Sequence, residues 1–67
     1  MSLYKYIGRT LCMIYIDGKG NISRRRVIVK RIGGQFLYAY CLDRRAPRTF
    51  RMENILFAMP VTNRHVG

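Results

Sequence analysis

Arginine and aromatic side chains lie close together in the segment from Gly33 to Ile55. A guanidinium group binds phosphate through a bidentate fork and also stacks on flat rings. Single-stranded nucleic acids bind where basic side chains follow the backbone and aromatic rings stack on the bases. The segment therefore predicts an anionic ligand that carries phosphates and rings. The side chains concerned are Arg44, Arg45, Arg48 and Arg51, with Phe36, Tyr38, Tyr40 and Phe50.

The charge of the whole chain favours the same class of partner. Its 67 residues include 13 lysines and arginines against 3 acidic residues, which gives a net charge of +10. Such an excess indicates a polyanion, with nucleic acid favoured over an anionic membrane, and a solvated basic surface is the alternative explanation. No apolar run approaches the roughly 20 residues that span a bilayer. We therefore expect a cytoplasmic protein without a membrane partner.

Residue types suited to catalysis or metal binding are sparse. The three acidic residues are isolated from one another in sequence, and His65 near the C-terminus is the only histidine. No general base is therefore available to activate a nucleophile. Cys12 and Cys41 lack the further ligands that a structural zinc site needs. We expect no enzymatic activity, no metal and no cofactor, with both thiols free in a reducing compartment.

Five short runs of β-forming residues are separated by turn signals. The runs cover residues 11–16, 22–32, 35–42, 48–52 and 55–61, and the turns fall at residues 17–21, 33–34 and 43–47. This spacing is typical of a small antiparallel barrel. We predict an all-β fold, a five-stranded antiparallel barrel with a short N-terminal helical or irregular segment. It forms a single domain over residues 1–67, with a core at 11–61 and a flexible tail at 62–67.

The third run indicates which side chains face the interior. Successive side chains of a strand point to opposite faces of the sheet. Small and aliphatic residues alternate here with rings, so the two faces differ in kind. We expect the interior of the barrel to receive Leu37, Ala39 and Cys41, and the opposite face to carry Phe36, Tyr38 and Tyr40.

Several segments resemble, in order, the core pattern of the WYL domain. They are "MIYIDGKGNISRRRVIV", "GGQFLYAYC" and "RTFRMENI", which together extend over most of residues 11–61. The family pattern has a strand ending in tyrosine, then R-x-V, then L-x-A and finally R-x-F-R with a closing isoleucine. The matching positions are Tyr15, Arg25, Val27, Leu37, Ala39, Arg48, Phe50, Arg51 and Ile55.

The resemblance implies both a fold and a role. It implies an SH3-like or Sm-like barrel that serves as a ligand-sensing module in bacterial transcriptional regulators. It also implies a ligand of the nucleic-acid or nucleotide class. A free-standing copy or an excised domain would both fit the length of this chain.

Besides ligand sensing, two other functions are compatible with the sequence. One is a protein-interaction or oligomerisation module, which would form a homodimer or complete a partner regulator. The other is an Sm-like RNA-binding barrel without a sensing role. The predicted set for a single-stranded nucleic acid or a nucleotide-like anion is Tyr15, Arg25, Arg26, Tyr38, Tyr40, Arg48 and Arg51.

Overall fold

Residues 3–61 are described by a computed structural model of the chain. Strands β1 to β5 are preceded by one 3₁₀ turn, and a second 3₁₀ turn joins β4 to β5. The first turn is Tyr4–Tyr6 and the second is Met52–Asn54. The strands are β1 Thr10–Ile16, β2 Ile22–Gly33, β3 Phe36–Cys41, β4 Ala46–Arg51 and β5 Ile55–Pro60.

All five strands belong to one antiparallel sheet with the order β4-β3-β2-β1-β5. In a flat sheet, β1 and β4 would lie about 14 Å apart, because neighbouring strands are separated by about 4.8 Å. Instead, the Tyr15 ring of β1 lies 5.0 Å from the Phe50 ring of β4. The Tyr15 hydroxyl also accepts a hydrogen bond of 3.2 Å from the Arg51 amide. The sheet is therefore curled on itself, and the expected small all-β barrel is confirmed.

The core lies on the inner face of the curled sheet. Leu37, Ala39 and Cys41 are all buried, as expected from the alternation along β3. Residues directly opposite one another on neighbouring strands share a face. The other core side chains come from each remaining strand and from the N-terminal segment; they are Leu3, Leu11, Met13, Val27, Val29, Phe50 and Ile55.

The structure corrects one boundary of the predicted elements. Strand β4 begins at Ala46 rather than Arg48, so Pro47 is part of a strand and not of the preceding turn. Proline has no backbone N–H to donate. Pro47 is tolerated because β4 is an edge strand of the sheet, where the missing donor interrupts no hydrogen bond to a neighbouring strand. The predicted flexible tail at 62–67 lies outside the described residues.

The N-terminal segment covers one end of the core. Its 3₁₀ turn matches the short helical segment that was expected. Leu3 is buried and Tyr6 packs against the core, whereas Ile7 is 45% exposed. The segment is tied to β2 by a hydrogen bond from the Gly8 amide to the Val29 carbonyl.

The two cysteines lie on different faces of the sheet. Cys41 of β3 is buried in the core, whereas Cys12 of β1 lies between the inward-facing Leu11 and Met13 and is half-buried. Strand β2 separates the two. Both thiols are free in this arrangement.

Candidate nucleic-acid interface

A cleft of about 670 Å³ opens beside the contact between β1 and β4. It brings together four of the seven predicted ligand-binding residues, from four different strands. These four are Tyr15, Arg25, Tyr38 and Arg48. The lining is completed by Asp17, Lys30, Ala39, Pro47, Thr49 and Phe50.

Arg25 occupies an inward-facing position of β2. It alternates with the buried Val27 and is paired in register with the buried Met13 of β1. Its Nε donates a hydrogen bond of 3.1 Å to the Ser23 hydroxyl. This bond holds the side chain near the strand and leaves both terminal nitrogens of the guanidinium available. Arg25 therefore has the fork geometry that suits a phosphate.

Arg48 occupies an inward-facing position of β4. It is paired directly with Ala39, whose side chain is 3% exposed, and it alternates with the buried Phe50. The small Ala39 side chain leaves space beside Arg48, and Arg48 itself is exposed. Two arginines thus stand at positions on the inner face of the barrel where core residues are otherwise found. A charge so placed is costly unless it reaches water or a counter-charge.

Lys30 joins the cleft through a β-bulge, which no local sequence pattern indicates. The pairing of β2 with β3 shifts between Val29 and Arg31, so Lys30 is the extra residue. A bulge bends its strand and redirects a side chain. Simple alternation placed Lys30 on the face away from Val29, which is why its contribution was missed.

Tyr15 and Phe50 form the aromatic wall of the cleft. Their rings meet edge to face, with an interplanar angle of 75°. The Tyr15 hydroxyl is already engaged by the Arg51 amide. Tyr15 can therefore offer ring surface to a ligand, while its hydroxyl helps to close the barrel.

Asp17 is the one acidic residue in the cleft lining. One carboxylate oxygen accepts hydrogen bonds from the amides of Lys19 and Asn21, which fixes the turn between β1 and β2. The Asn21 amide is the main cause that lowers the pKa of Asp17. The carboxylate therefore stays ionised at neutral pH and places one negative charge beside three cations.

Arg26 and Arg51 are outside the cleft lining and are engaged in ion pairs. Arg26 contacts Asp43 at 3.0 Å, and Arg51 contacts Glu53 at 3.0 Å. The hydrogen bond from the Arg26 side chain lowers the pKa of Asp43. In contrast, neither Arg25 nor Arg48 forms a salt bridge within residues 3–61. The structure thus separates the predicted arginines into two cleft residues and two paired surface residues.

Tyr40 also lies outside the cleft. It stands on the outer face of β3, paired with Ile28 on one side and Pro47 on the other, and it is half-buried. Tyr38 stands on the same face but reaches the cleft. The row of rings predicted on β3 is therefore present, and one member of it borders the cleft.

Strand β5 presents an apolar edge. Leu56, Phe57 and Met59 are each about half exposed, at 50%, 53% and 49%. β5 pairs with β1 and stands at the end of the strand order. A free strand edge with apolar side chains is a surface on which another chain could pair.

Comparison with known proteins gives no relative for this chain. No family model, no curated protein and no solved structure matches it. The resemblance to the WYL domain therefore stays a prediction. Within residues 3–61, no helix has the length and apolar character needed to cross a membrane. The same residues contain no cluster of three potential metal ligands.

Proposed function

We propose that the protein is a non-catalytic binding module for single-stranded nucleic acid or a related nucleotide, with its binding site in the cleft. One observation carries this proposal. Arg25 and Arg48 occupy inward-facing positions without a carboxylate partner among the described residues, while Arg26 and Arg51 are paired. An anionic ligand would supply the counter-charge that these two inward-facing arginines lack.

Each class of side chain in the cleft has a role suited to a nucleotide. The guanidinium groups of Arg25 and Arg48 bind a phosphate, and the ammonium group of Lys30 adds a third positive charge. The Tyr15 and Phe50 rings supply an apolar wall for a base. The volume of the cleft falls within the roughly 300–1,000 Å³ that is usual for small-ligand sites, so it can hold one nucleotide.

The wider role that we propose is regulatory. The positions that match the WYL pattern include Tyr15, Arg25 and Arg48, which line the cleft together. Binding at the cleft would then report the presence of a nucleic acid to a bacterial transcriptional regulator in the cytoplasm. An Sm-like RNA-binding role uses the same cleft and differs from this proposal only in the ligand, so DNA and RNA oligonucleotides of equal length distinguish the two.

Replacing Arg48 with alanine should weaken the binding of a labelled single-stranded oligonucleotide about tenfold. A lost charge-assisted hydrogen bond is worth about 1.5–3 kcal/mol, and each 1.4 kcal/mol corresponds to a factor of ten. The loss of one phosphate contact should also flatten the salt dependence by about 0.7 units for a single strand. Fluorescence anisotropy at several salt concentrations measures both quantities.

The matched control for that experiment is Lys5→Ala, which removes the same charge from the N-terminal 3₁₀ turn, outside the cleft lining. It should change the affinity less than threefold, an effect of about 0.6 kcal/mol or less. Equal small losses from both variants would mean that the protein attracts polyanions through its overall charge. The cleft would then have no special part in binding.

A protein-interaction module is the second candidate function, and the β5 edge favours it. Leu56, Phe57 and Met59 are the type of side chain that a docked strand would cover. Light scattering of the purified protein tests one form of this candidate. A stable dimer that Phe57→Lys converts to a monomer would support it, whereas a wild-type monomer would exclude the homodimer.

A further inference from the structure

The outer face of β3 carries a second arrangement of rings and cations, next to the cleft. Cross-strand pairing places Tyr38 between Arg31 of β2 and Thr49 of β4. In the neighbouring row, Phe36 is paired with Arg51. These residues lie on the face opposite to the core, so their contacts are with one another and with solvent.

Arg31 is stacked on Tyr38. Its guanidinium carbon lies 4.3 Å from the centre of the Tyr38 ring, which is close cation–π contact. Arg31 is exposed and has no carboxylate partner within residues 3–61. Because Arg31 is exposed, part of its guanidinium group stays open to solvent beside the ring. Nucleic-acid bases stack on guanidinium planes of this kind.

Phe36 extends the arrangement away from the cleft. Its ring centre lies 6.4 Å from that of Tyr38, with the two planes tilted by 44°. Phe36 is 36% exposed, a large fraction for an aromatic ring within a strand. The Arg51 guanidinium lies 5.8 Å from the centre of the Phe36 ring, and it also forms an exposed ion pair with Glu53. Phe36 therefore offers a second ring that is partly open to solvent.

Tyr38 belongs to both surfaces. It lines the cleft, and it also supports Arg31 on the outer face. A nucleic-acid chain that leaves the cleft past Tyr38 would meet the exposed Arg31 guanidinium first and the Phe36 ring next. The cation along this route that has no carboxylate partner within residues 3–61, Arg31, suits a phosphate backbone. The rings suit its bases.

We propose that Arg31, Tyr38 and Phe36 bind the nucleotides next to the one held in the cleft, so that the ligand is a single strand of several nucleotides and not a mononucleotide. This inference rests on the proposed function, because the bound nucleic-acid strand extends from the nucleotide that is held in the cleft. Paired bases cannot stack on side chains in this way, since a duplex keeps them inside its own stack. The preferred partner is therefore an unpaired strand.

The test compares ligand lengths in wild-type protein and in variants that keep the charge. Thymidine monophosphate and oligothymidylates of two, four and six nucleotides are titrated by calorimetry. Arg31→Lys keeps the positive charge but removes the flat plane, and Phe36→Leu keeps an apolar side chain but removes the ring. The control is Arg24→Lys, the same substitution on the same outer face of β2, about 20 Å further along the strand.

The expected result is a dependence on length that each variant reduces. In the wild type, the tetranucleotide should bind at least tenfold more tightly than the monophosphate. Arg31→Lys and Phe36→Leu should each lower the affinity for the tetranucleotide about tenfold, because one stack on a side chain contributes about that much. Both variants should bind the monophosphate within twofold of the wild type, and Arg24→Lys should match the wild type for every ligand.

Two other outcomes would overturn the inference in different ways. Equal binding of monophosphate and tetranucleotide, with no effect of Arg31→Lys or Phe36→Leu, would reject the outer surface and leave the cleft as a mononucleotide site. No binding of any length would reject the proposed function as well. Oligouridylates of the same lengths, tested in parallel, show whether the preferred strand is RNA or DNA.

Discussion

Replacing Leu37 with aspartate should abolish cooperative thermal unfolding, because the protein will no longer fold at 25 °C. Leu37 is 0% exposed and lies on the inner face of β3, the third of five strands in the chain. An unpaired carboxylate at such a position costs several kcal/mol, in addition to the lost apolar contacts. Native proteins are stable by only about 5–15 kcal/mol, and a chain of this size is expected near the lower limit. Circular dichroism during heating measures the loss.

The control for this change is Gln35→Asp, which introduces the same charge two residues earlier. Gln35 is exposed in the turn between β2 and β3, and surface substitutions of this type usually alter stability by less than about 0.5 kcal/mol. The control should therefore melt near the wild-type temperature. A cooperative transition for Leu37→Asp close to that of Gln35→Asp would contradict the barrel interior described above.

The strands and their faces were predictable because the signals for them are local. In β3, alternation of small and aromatic residues identified the inward-facing Leu37, Ala39 and Cys41 without knowledge of any other strand. The turn after β1 was equally clear, since an aspartate followed by two glycines and an asparagine favours reversal of the chain. Asp17 fixes that turn through its own hydrogen bonds.

The composition of the cleft was only partly predictable, because it depends on contacts between distant parts of the chain. Arg26 and Asp43 form their ion pair across 17 residues of sequence, so no local pattern indicated that Arg26 is neutralised. Lys30 reaches the cleft through a bulge that alternation cannot reveal. The start of β4 was predicted late, since the proline at position 47 is usually a turn signal.

Replacing both Arg25 and Arg48 with alanine should weaken binding of a single-stranded oligonucleotide about 100-fold. Each arginine contributes a charge-assisted contact to phosphate, and the loss of two corresponds to about 3 kcal/mol or more. The salt dependence should flatten by about 1.4 units, twice the value for one phosphate on a single strand. The double variant should remain as stable as the wild type, because neither arginine forms a salt bridge within residues 3–61 that its removal would break.

The matched control is the double variant Arg24→Ala and Arg44→Ala, which removes two charges from exposed positions outside the cleft lining. Its effect should be confined to weaker long-range attraction, with an affinity within about fivefold of the wild type, or about 1 kcal/mol. Comparable losses from the two double variants would show that only the total charge matters. A large loss of thermal stability in the Arg25 and Arg48 variant alone would instead assign those residues a structural role.

We propose that a nucleic-acid strand binds in the cleft lined by strands β1 to β4. The most direct test of this proposal is a titration of ¹⁵N-labelled protein with a short single-stranded oligonucleotide, followed by amide chemical shifts. We expect the largest shift changes at Arg25, Lys30 and Arg48, with smaller ones at Arg31 and Phe36. Changes concentrated at residues 56–59 of β5, or spread evenly over all the basic residues, would contradict it.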